Sequence, residues 1–369
     1  SYIGQSLVNN KEYFPSVLVS QLMDYLIEYS DLEEKAQLIQ NHPITVFSPN
    51  NFKDNYLSYD KEWLPLVQNS NGVKEFISEQ IINEVELPKY IELDDLISFI
   101  QSPARYFFTR QLGVNFSSSE ESIEETEHFS LSRLDEYTLL DELLNIKNEE
   151  IENFFEKEDL KGNSLVLNFG KLKKEELNSR IENMRSELAG YLNQDSQVLE
   201  INVTLDQTEL VGNIQHQFGN DIVLWRTGAL RDKDTIKLWI YYLVSILSGK
   251  ENSPVFYYLN NEALAQLSFN KIEKEQAKAQ LEIYVSAYLR SFITLELAIT
   301  SSLDNYFDNI SENIEKDCEN KLIEIAESYN DENIYLRRIL NQSEKLDYAH
   351  IHQTTLDWFD LMKKSKNKG

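Results

Sequence analysis

"QVLEINVTLDQTELVGNIQHQFGNDIVLWRTG", residues 197–228, decides how this chain is read. Leu199, Ile201, Val203 and Leu205 alternate with other residues, the period of a strand with one face in a core. The turn at "DQTE" returns the chain through "LVGNIQHQF", and Gly219, Asn220 and Asp221 turn it again into "DIVLWRTG". Together these segments predict an antiparallel meander. The apolar stretch "DKDTIKLWIYYLVSILSG" (232–249) predicts a sheet-covering helix, and "PVFYYLN" (254–260) a fourth strand.

Outward from the meander the pattern is helical. In "LDDLISFIQSPARYFF" (93–108), Leu93, Leu96, Phe99 and Ile100 mark one helix. Pro103 interrupts it, and Tyr106, Phe107, Phe108 and Leu112 mark a second. Helices are predicted at roughly 131–157 and 171–192, the latter with Leu172, Leu177, Ile181, Met184 and Leu188 on one face. Long helices are expected again from about residue 270. Near the start, Val17, Leu18, Leu22 and Leu26 form a stripe on a helix ending near Tyr29, and residues 1–5 suit a short strand. Pro43, Pro49 and Pro65 punctuate an irregular connector. "SSSEESIEETEH" (117–128) is an acidic, solvated loop, and the tail "KKSKNKG" (363–369) is read as solvated or foreign to the fold. The expected architecture is α/β, a mixed sheet flanked by many helices.

Composition narrows the function classes. With 35 basic and 62 acidic residues the net charge is −27, an awkward balance for a freestanding nucleic-acid binder, whose affinity rests on neutralising phosphates. Contact with DNA would need local basic spots. Cys318 is the only cysteine, so a disulfide within the chain and any four-cysteine cluster are excluded. Its plain reading is a small buried hydrophobe. The longest apolar run, Leu238 to Leu247, is too short for a bilayer, no signal peptide is visible, and the lack of disulfides fits the cytoplasm. The chain opens at Ser1 without Met, so it is expected to be part of a longer protein.

The meander has the layout of a metal-dependent nuclease hairpin. Mg²⁺ needs hard oxygen ligands, and one common solution puts an Asp on one strand and Asp/Glu-x-Lys on the next. Residues two apart on a strand share a face, so acid and lysine point together. Here the acid positions hold Gln215 and Leu224, and Arg226 stands at the lysine position. Leu cannot ligate a metal, and a guanidinium is no base but remains a phosphate fork. Asp206, Glu209 and Asp221 fall in turns; Asp232 and Asp234 stand at a helix start, where capping is the plain reading. No acid combines with a lysine at the required spacing. No metal site is expected in this chain.

Other stretches carry a resemblance. "SYIGQSLVNNKEYFPSVLVSQLMDYL" (1–26) closely resembles the segment of the RecC family, the gamma subunits of exodeoxyribonuclease V, in which a superfamily 1 helicase-like part ends. Gly4-Gln5-Ser6 stands where active helicases carry an ATP-sensing arginine. "HPITVFSPNNF" resembles the family's connector. Residues 93–108 look like the opening helix of RecB/AddB-type nuclease domains, with Ser102 where AddB-like members place an iron–sulfur cysteine. "GNIQ…IVLWRTG…IKLWIYYL" is similar to the RecB-type motif series: Gly212 and Tyr241 are retained, while Gln215, Leu224, Arg226 and Lys237 replace Asp, Asp, Lys and Gln. "YTLLDELL" (137–144) resembles the helix carrying the nuclease histidine, with Asp141 at that position.

The resemblance implies a restriction-endonuclease-like, PD-(D/E)XK, core without catalysis. It implies a helicase-like end at 1–40, an extended connector at 41–90 and an inactive nuclease-like domain at 91–369. It further implies a scaffold that holds RecB and RecD and guides forked or single-stranded DNA in repair and recombination, with Mg²⁺ and ATP belonging to the partner subunits. The alternatives are an active AddB-type nuclease and a protein-only adaptor for RecB and RecD. Candidate DNA contacts are Arg226, Arg105, Arg110 and Lys173. Each has a plainer reading: an ion pair for Arg226, core packing for the aromatics between Arg105 and Arg110, and a solvated face for Lys171, Lys173 and Lys174.

Overall fold

A helix that is apolar all round has to be enclosed. In the computed structural model the helix Asp232–Leu247 has ten buried residues among its sixteen, from Thr235 to Ser245, with Trp239 wholly inaccessible. The rest of the fold supplies its cover. The structure describes residues 14–30, 38–43, 48–52, 63, 87–116, 132–161, 167–206, 208–219, 221–249, 254–260, 263–328, 333–342 and 346–368.

The chain divides into two compact units, Ser1–Phe76 and Ile77–Gly369. In the first, helix α1 (Val17–Glu28) is capped by Ser16, whose hydroxyl accepts from the Val19 amide, and a short 3₁₀ turn spans Pro49–Phe52. The expected stripe of α1 faces solvent: Val17, Leu18 and Leu22 are exposed and Met23 is buried instead. The strand expected at 1–5, the acidic loop at 117–128 and most of the connector lie outside the described residues.

The second unit is α/β with a mixed seven-stranded sheet. Its strands are β1 (Tyr90–Glu92), β2 (Gln197–Leu205), β3 (Thr208–Phe218), β4 (Asp221–Arg226), β5 (Val255–Asn260), β6 (Ala263–Phe269) and β7 (Lys366–Lys368). The order is β1-β3-β4-β5-β6-β7, with β2 also on β3. β1 with β3 and β4 with β5 are parallel; the other pairs are antiparallel.

Two apolar cores lie on this sheet. One contains α2 (Leu93–Gln101), the short α3 (Pro103–Tyr106) running into a π-turn at Phe107–Gln111, α7 (Asp232–Leu247), α8 (Lys274–Ser291) and α12 (Tyr348–Ser365). The other joins α4 (Arg133–Leu144), α5 (Ile151–Lys161) and α6 (Leu167–Leu192) to Phe218, Val223 and Leu259 of the sheet. On α6, Leu177, Ile181, Met184 and Leu188 are buried as the periodicity requires, but Leu172 is exposed. Three further helices, α9 (Leu303–Asp308), α10 (Ile314–Glu327) and α11 (Asn333–Gln342), complete the unit.

Three expectations need correction. The expected strand count misses β1, β6 and β7, because β1 and β7 are three residues long and β6 has a mixed burial pattern. The basic tail is not simply solvated. Lys363 and Lys364 end α12, and Lys366–Lys368 pair with β6 in the register Phe269↔Lys366 and Leu267↔Lys368. The Lys366 side chain is 8 % exposed and bonds Asp304 at 2.8 Å. Finally, β3 and β4 pair only at Gln217↔Ile222 and Phe218↔Asp221, after which β4 runs along β5.

Gly212 explains itself by close approach. A Cβ built there would sit 2.6 Å from the Leu93 Cβ at the start of α2. That atom is fixed to backbone and cannot swing away. We expect Gly212→Ala to lower stability by about 1–3 kcal/mol, the usual cost of overpacking, read as a lower urea midpoint with unchanged slope; an unchanged midpoint would show that the helix moves aside freely.

Candidate nucleic-acid interface

The positions aligned with nuclease acids do not share an environment. Gln197 pairs with Gln217 and Leu199 with Ile214, so Gln215 and His216 together oppose Val198. This is a β-bulge, which re-aims side chains and breaks the period-two rule. Gln215 is exposed. Leu224 is 6 % exposed and sits in the larger core, opposite Phe256 of β5. Two groups so placed cannot jointly hold a hard cation, and the residues present do not fit Mg²⁺.

The nearby acids are engaged elsewhere. Asp221 takes a hydrogen bond from the Tyr191 hydroxyl at 3.4 Å. Asp234 accepts from the Arg231 amide and is gripped by its guanidinium through two contacts of 2.9 Å. Asp232 does not cap its own helix: it accepts from the Leu303 amide at 3.3 Å and so caps α9. Burial raises the Asp232 pKa, and the Lys366 charge works against that rise. Asp141 is half-buried on α4. Among the described residues, no group of three or more His, Cys, Asp or Glu is placed to hold a metal.

What the same region does gather is positive charge. Arg226 makes no ion pair among the described residues; its guanidinium lies over the Tyr137 ring of α4, 4.5 Å from the centroid. Stacking on an aromatic face orients the fork and leaves its edge for hydrogen bonds. Gly228 lies against both partners, so the stack meets no side chain there. Next along the chain stands Arg231, then Lys233 in the first turn of α7. Burial depresses Lys233 to about 8, and the charges of Arg105 and Arg231 add to the effect. That mutual influence links Arg105 on α3 to the start of α7, and the Gln101 amide donating to the Lys233 carbonyl at 2.8 Å fastens the two elements. Lys237, one turn on, lies 5.4 Å from the Tyr241 ring centroid. Burial and then the Lys237 charge hold the His216 imidazole below its usual pKa.

Arg226, Arg231, Lys233 and Arg105 therefore form a band of cations across the end of β4 and the start of α7, on a chain of net charge −27. Arg226 and Arg105 were singled out from sequence; Arg231, Lys233 and Tyr137 were not. The only local signal was three basic residues within seven at 231–237, masked by the interleaved Asp232 and Asp234. The other two candidates are held in ion pairs, as Arg231 is by Asp234. Arg110 pairs with Asp95 at 3.4 Å. Lys173 bonds Glu136 at 3.1 Å and Glu176 at 2.8 Å, and Arg180 also pairs with Glu136, so this cluster clasps α6 to α4. Tyr106, Phe107 and Phe108 are buried core residues, with the Tyr106 and Tyr288 hydroxyls bonded at 2.8 Å. They offer no face to a base.

Comparison with known proteins was made against this geometry. A sequence model of the RecC C-terminal domain matches residues 88–293. The chain is similar to the RecBCD enzyme subunit RecC of Haemophilus influenzae, with 33% identity over 298 residues, covering 77% of this chain and 26% of that protein. It is similar to the protein of the same name in Escherichia coli, with 29% identity over 266 residues, 68% of this chain and 23% of that one. A third, from Buchnera aphidicola subsp. Schizaphis graminum, is 25% identical over 279 residues, 71% and 26% of the two chains. The chain thus spans about a quarter of the length of these relatives. No described helix is long and apolar enough to cross a membrane.

Putting the acid back at the strand position should not rebuild a metal site. Leu224→Asp places an uncompensated charge in the core and is expected to cost about 3–5 kcal/mol. Chemical denaturation with and without Mg²⁺ reads this; stabilisation of the variant by Mg²⁺ would contradict it.

Proposed function

This chain belongs to the RecC C-terminal domain family, and from that premise we propose that it is a non-catalytic scaffold and strand-guiding part of a RecBCD-type helicase–nuclease in double-strand break repair and recombination. In this reading residues 1–40 end a helicase-like domain, 41–90 connect, and 91–369 form a PD-(D/E)XK-like domain stripped of its metal ligands. RecB and RecD are its partners and supply the Mg²⁺ and ATP chemistry.

The observation that carries the proposal is the exchange at one place in the fold. Where a nuclease of this layout would set two acids and a lysine, Leu224 fills core and Arg226 is presented on Tyr137. In this reading the end of β4 keeps a cation and lacks the carboxylates that cleavage would need. It meets phosphates through Arg226, whose charge is oriented by a ring, and a phosphate contact of this kind positions a strand without reading its sequence. The surrounding acidic surface favours the same outcome. It keeps DNA off other faces and leaves the band as the path, while offering basic partner surfaces a complementary field. A protein-only adaptor would use the second property without the first.

Titration with forked or single-stranded DNA over a range of salt separates these readings. Binding should weaken linearly on a log–log plot with a slope of about −0.7 per phosphate neutralised on a single strand. Arg226→Ala should reduce the slope by about the share of one contact, uniformly across sequences. Absence of binding at any salt selects the adaptor. Strand cleavage in Mg²⁺ or Mn²⁺ that disappears in Asp221→Asn or Asp232→Asn would select the nuclease.

A further inference from the structure

The sheet has two ends, and they are built differently. β3 pairs with β2 along nearly its whole length, from Leu205↔Thr208 to Gln197↔Gln217. Its other neighbours, β1 at residues 209–211 and β4 at residues 217–218, therefore share the opposite edge. β2 is thus one end of the sheet, and among the described residues its strand partner is β3 alone. β7 is the other end.

An edge strand offers a row of backbone donors and acceptors to any chain that can lie beside it. Folds guard such rows by keeping the strand short, by lysines, by proline or by a covering element. β7 is guarded: it is three residues long and reads Lys-Asn-Lys. β2 is not. It has nine residues, Gln197–Leu205, with no proline, lysine or arginine. Its one irregularity, the bulge opposite Val198, lies at its start, so Leu199 to Leu205 run in unbroken register. Every second residue of such a strand turns its N–H and C=O away from β3. Leu199, Ile201, Val203 and Leu205 face the core, while Val198, Glu200, Asn202 and Thr204 are exposed.

The face beside this edge carries one sign of charge. Glu209 stands between Thr204 of β2 and Tyr90 of β1, and Val211 between Asn202 and Glu92. The exposed side of these three strands therefore presents Glu200, Glu209 and Glu92, and none of the three contains a lysine or arginine. Asp206, just past β2, is bonded by Lys278 of α8 at 3.3 Å, whereas the three glutamates make no ion pair among the described residues. That field decides the occupant of the edge. A second copy of this chain would bring the same row of carboxylates up against the first, on two chains each of net charge −27. Like charges on adjoining strands are destabilising, and opposite ones stabilise the pair.

We propose that the β2 edge is a docking site for an extended, basic segment of a partner protein, which joins the sheet as a further strand. The backbone of the segment pairs with β2 between Leu199 and Leu205. Its alternate side chains fall on the two faces of the sheet. Lysines or arginines lie on the exposed side beside Glu200, and small apolar residues lie on the core side beside Ile201 and Val203. In recognition by strand addition, main-chain hydrogen bonds supply affinity and the alternating side chains supply specificity. The site uses neither Arg226 nor any contact with DNA, so it stands apart from the strand-guiding reading.

The test is amide hydrogen exchange on the whole chain, ¹⁵N-labelled, with three short peptides as probes. One alternates Lys and Val, one alternates Glu and Val, and the third is the Lys–Val peptide N-methylated at every residue, which keeps the charge but cannot donate to a strand. The Lys–Val peptide should bind and slow exchange at every second amide between Leu199 and Leu205, leaving β7 unchanged, and the other two should not. Glu200→Lys, an exposed substitution, should weaken the Lys–Val peptide about fivefold, the scale of a reversed cross-strand charge pair. Unaltered exchange in the peptide-free variant serves as its folding control. Absence of protection at β2, or protection elsewhere instead, overturns the proposal. Equal binding of the N-methylated peptide reduces the effect to net charge and overturns it as well. Sedimentation of the chain alone supplies the last arm: a dimer whose formation protects β2 would make a second copy the occupant and dismiss the basic partner.

Discussion

Enclosure of α7 is the constraint from which the rest follows. With Ile236, Leu238, Trp239, Ile240, Leu243 and Val244 all inaccessible, the helix has no face to give to water. Each buried aliphatic or aromatic side chain is worth about 1.5–3 kcal/mol of transfer free energy, so sheet, α2 and α8 are drawn around it. Being enclosed also fixes its axis. The first turn emerges from the core at one defined place, next to the end of β4, and that turn carries Arg231, Lys233 and, one turn on, Lys237. Rigidity of the core is thereby handed to the charges at its edge.

The chain's acidity makes the disposition of its cations informative. Lys173 and Arg180 are consumed in a clasp between α4 and α6, Lys363 bonds Asp308 at 2.6 Å, and Lys366 neutralises the acids around the α9 cap. Such pairs hold helices in register more than they add stability, since exposed pairs contribute little and buried ones lose hydration. Arg226 is treated differently. Its partner among the described residues is a ring, which orients the charge without cancelling it. That distinction separates cations used for architecture from those left with a field to exert on a ligand.

The same economy shows at the degenerate nuclease positions. Leu224 is core packing opposite Phe256, and the bulge at Gln215 and His216 leaves Gln215 exposed. The shape around β4 is set by α7 and the sheet.

Local pattern carried the meander, α7, β5 and the interruption at Pro103, since period two, period 3.6 and proline each act within a few neighbouring residues. It also carried the resemblance to the RecC family, which the family match over residues 88–293 bears out. Pairing across the sheet was out of its reach. β7 is Lys-Asn-Lys, an edge strand with no alternation, and only Phe269 and Leu267 of β6, about a hundred residues earlier, make it a strand. The bulge at Gln215 depends on the register with β2, not on its own neighbours. The partner of Arg226 comes from residue 137, and the cation band joins residues 105, 226, 231 and 233, which chain order leaves scattered. Sequence determined most of the helices, the meander and β5, because those are properties of a residue and its neighbours. Tertiary structure decided where the remaining charges converge, because electrostatic fields depend on distance in space, and only enclosure of α7 brings those distant residues together.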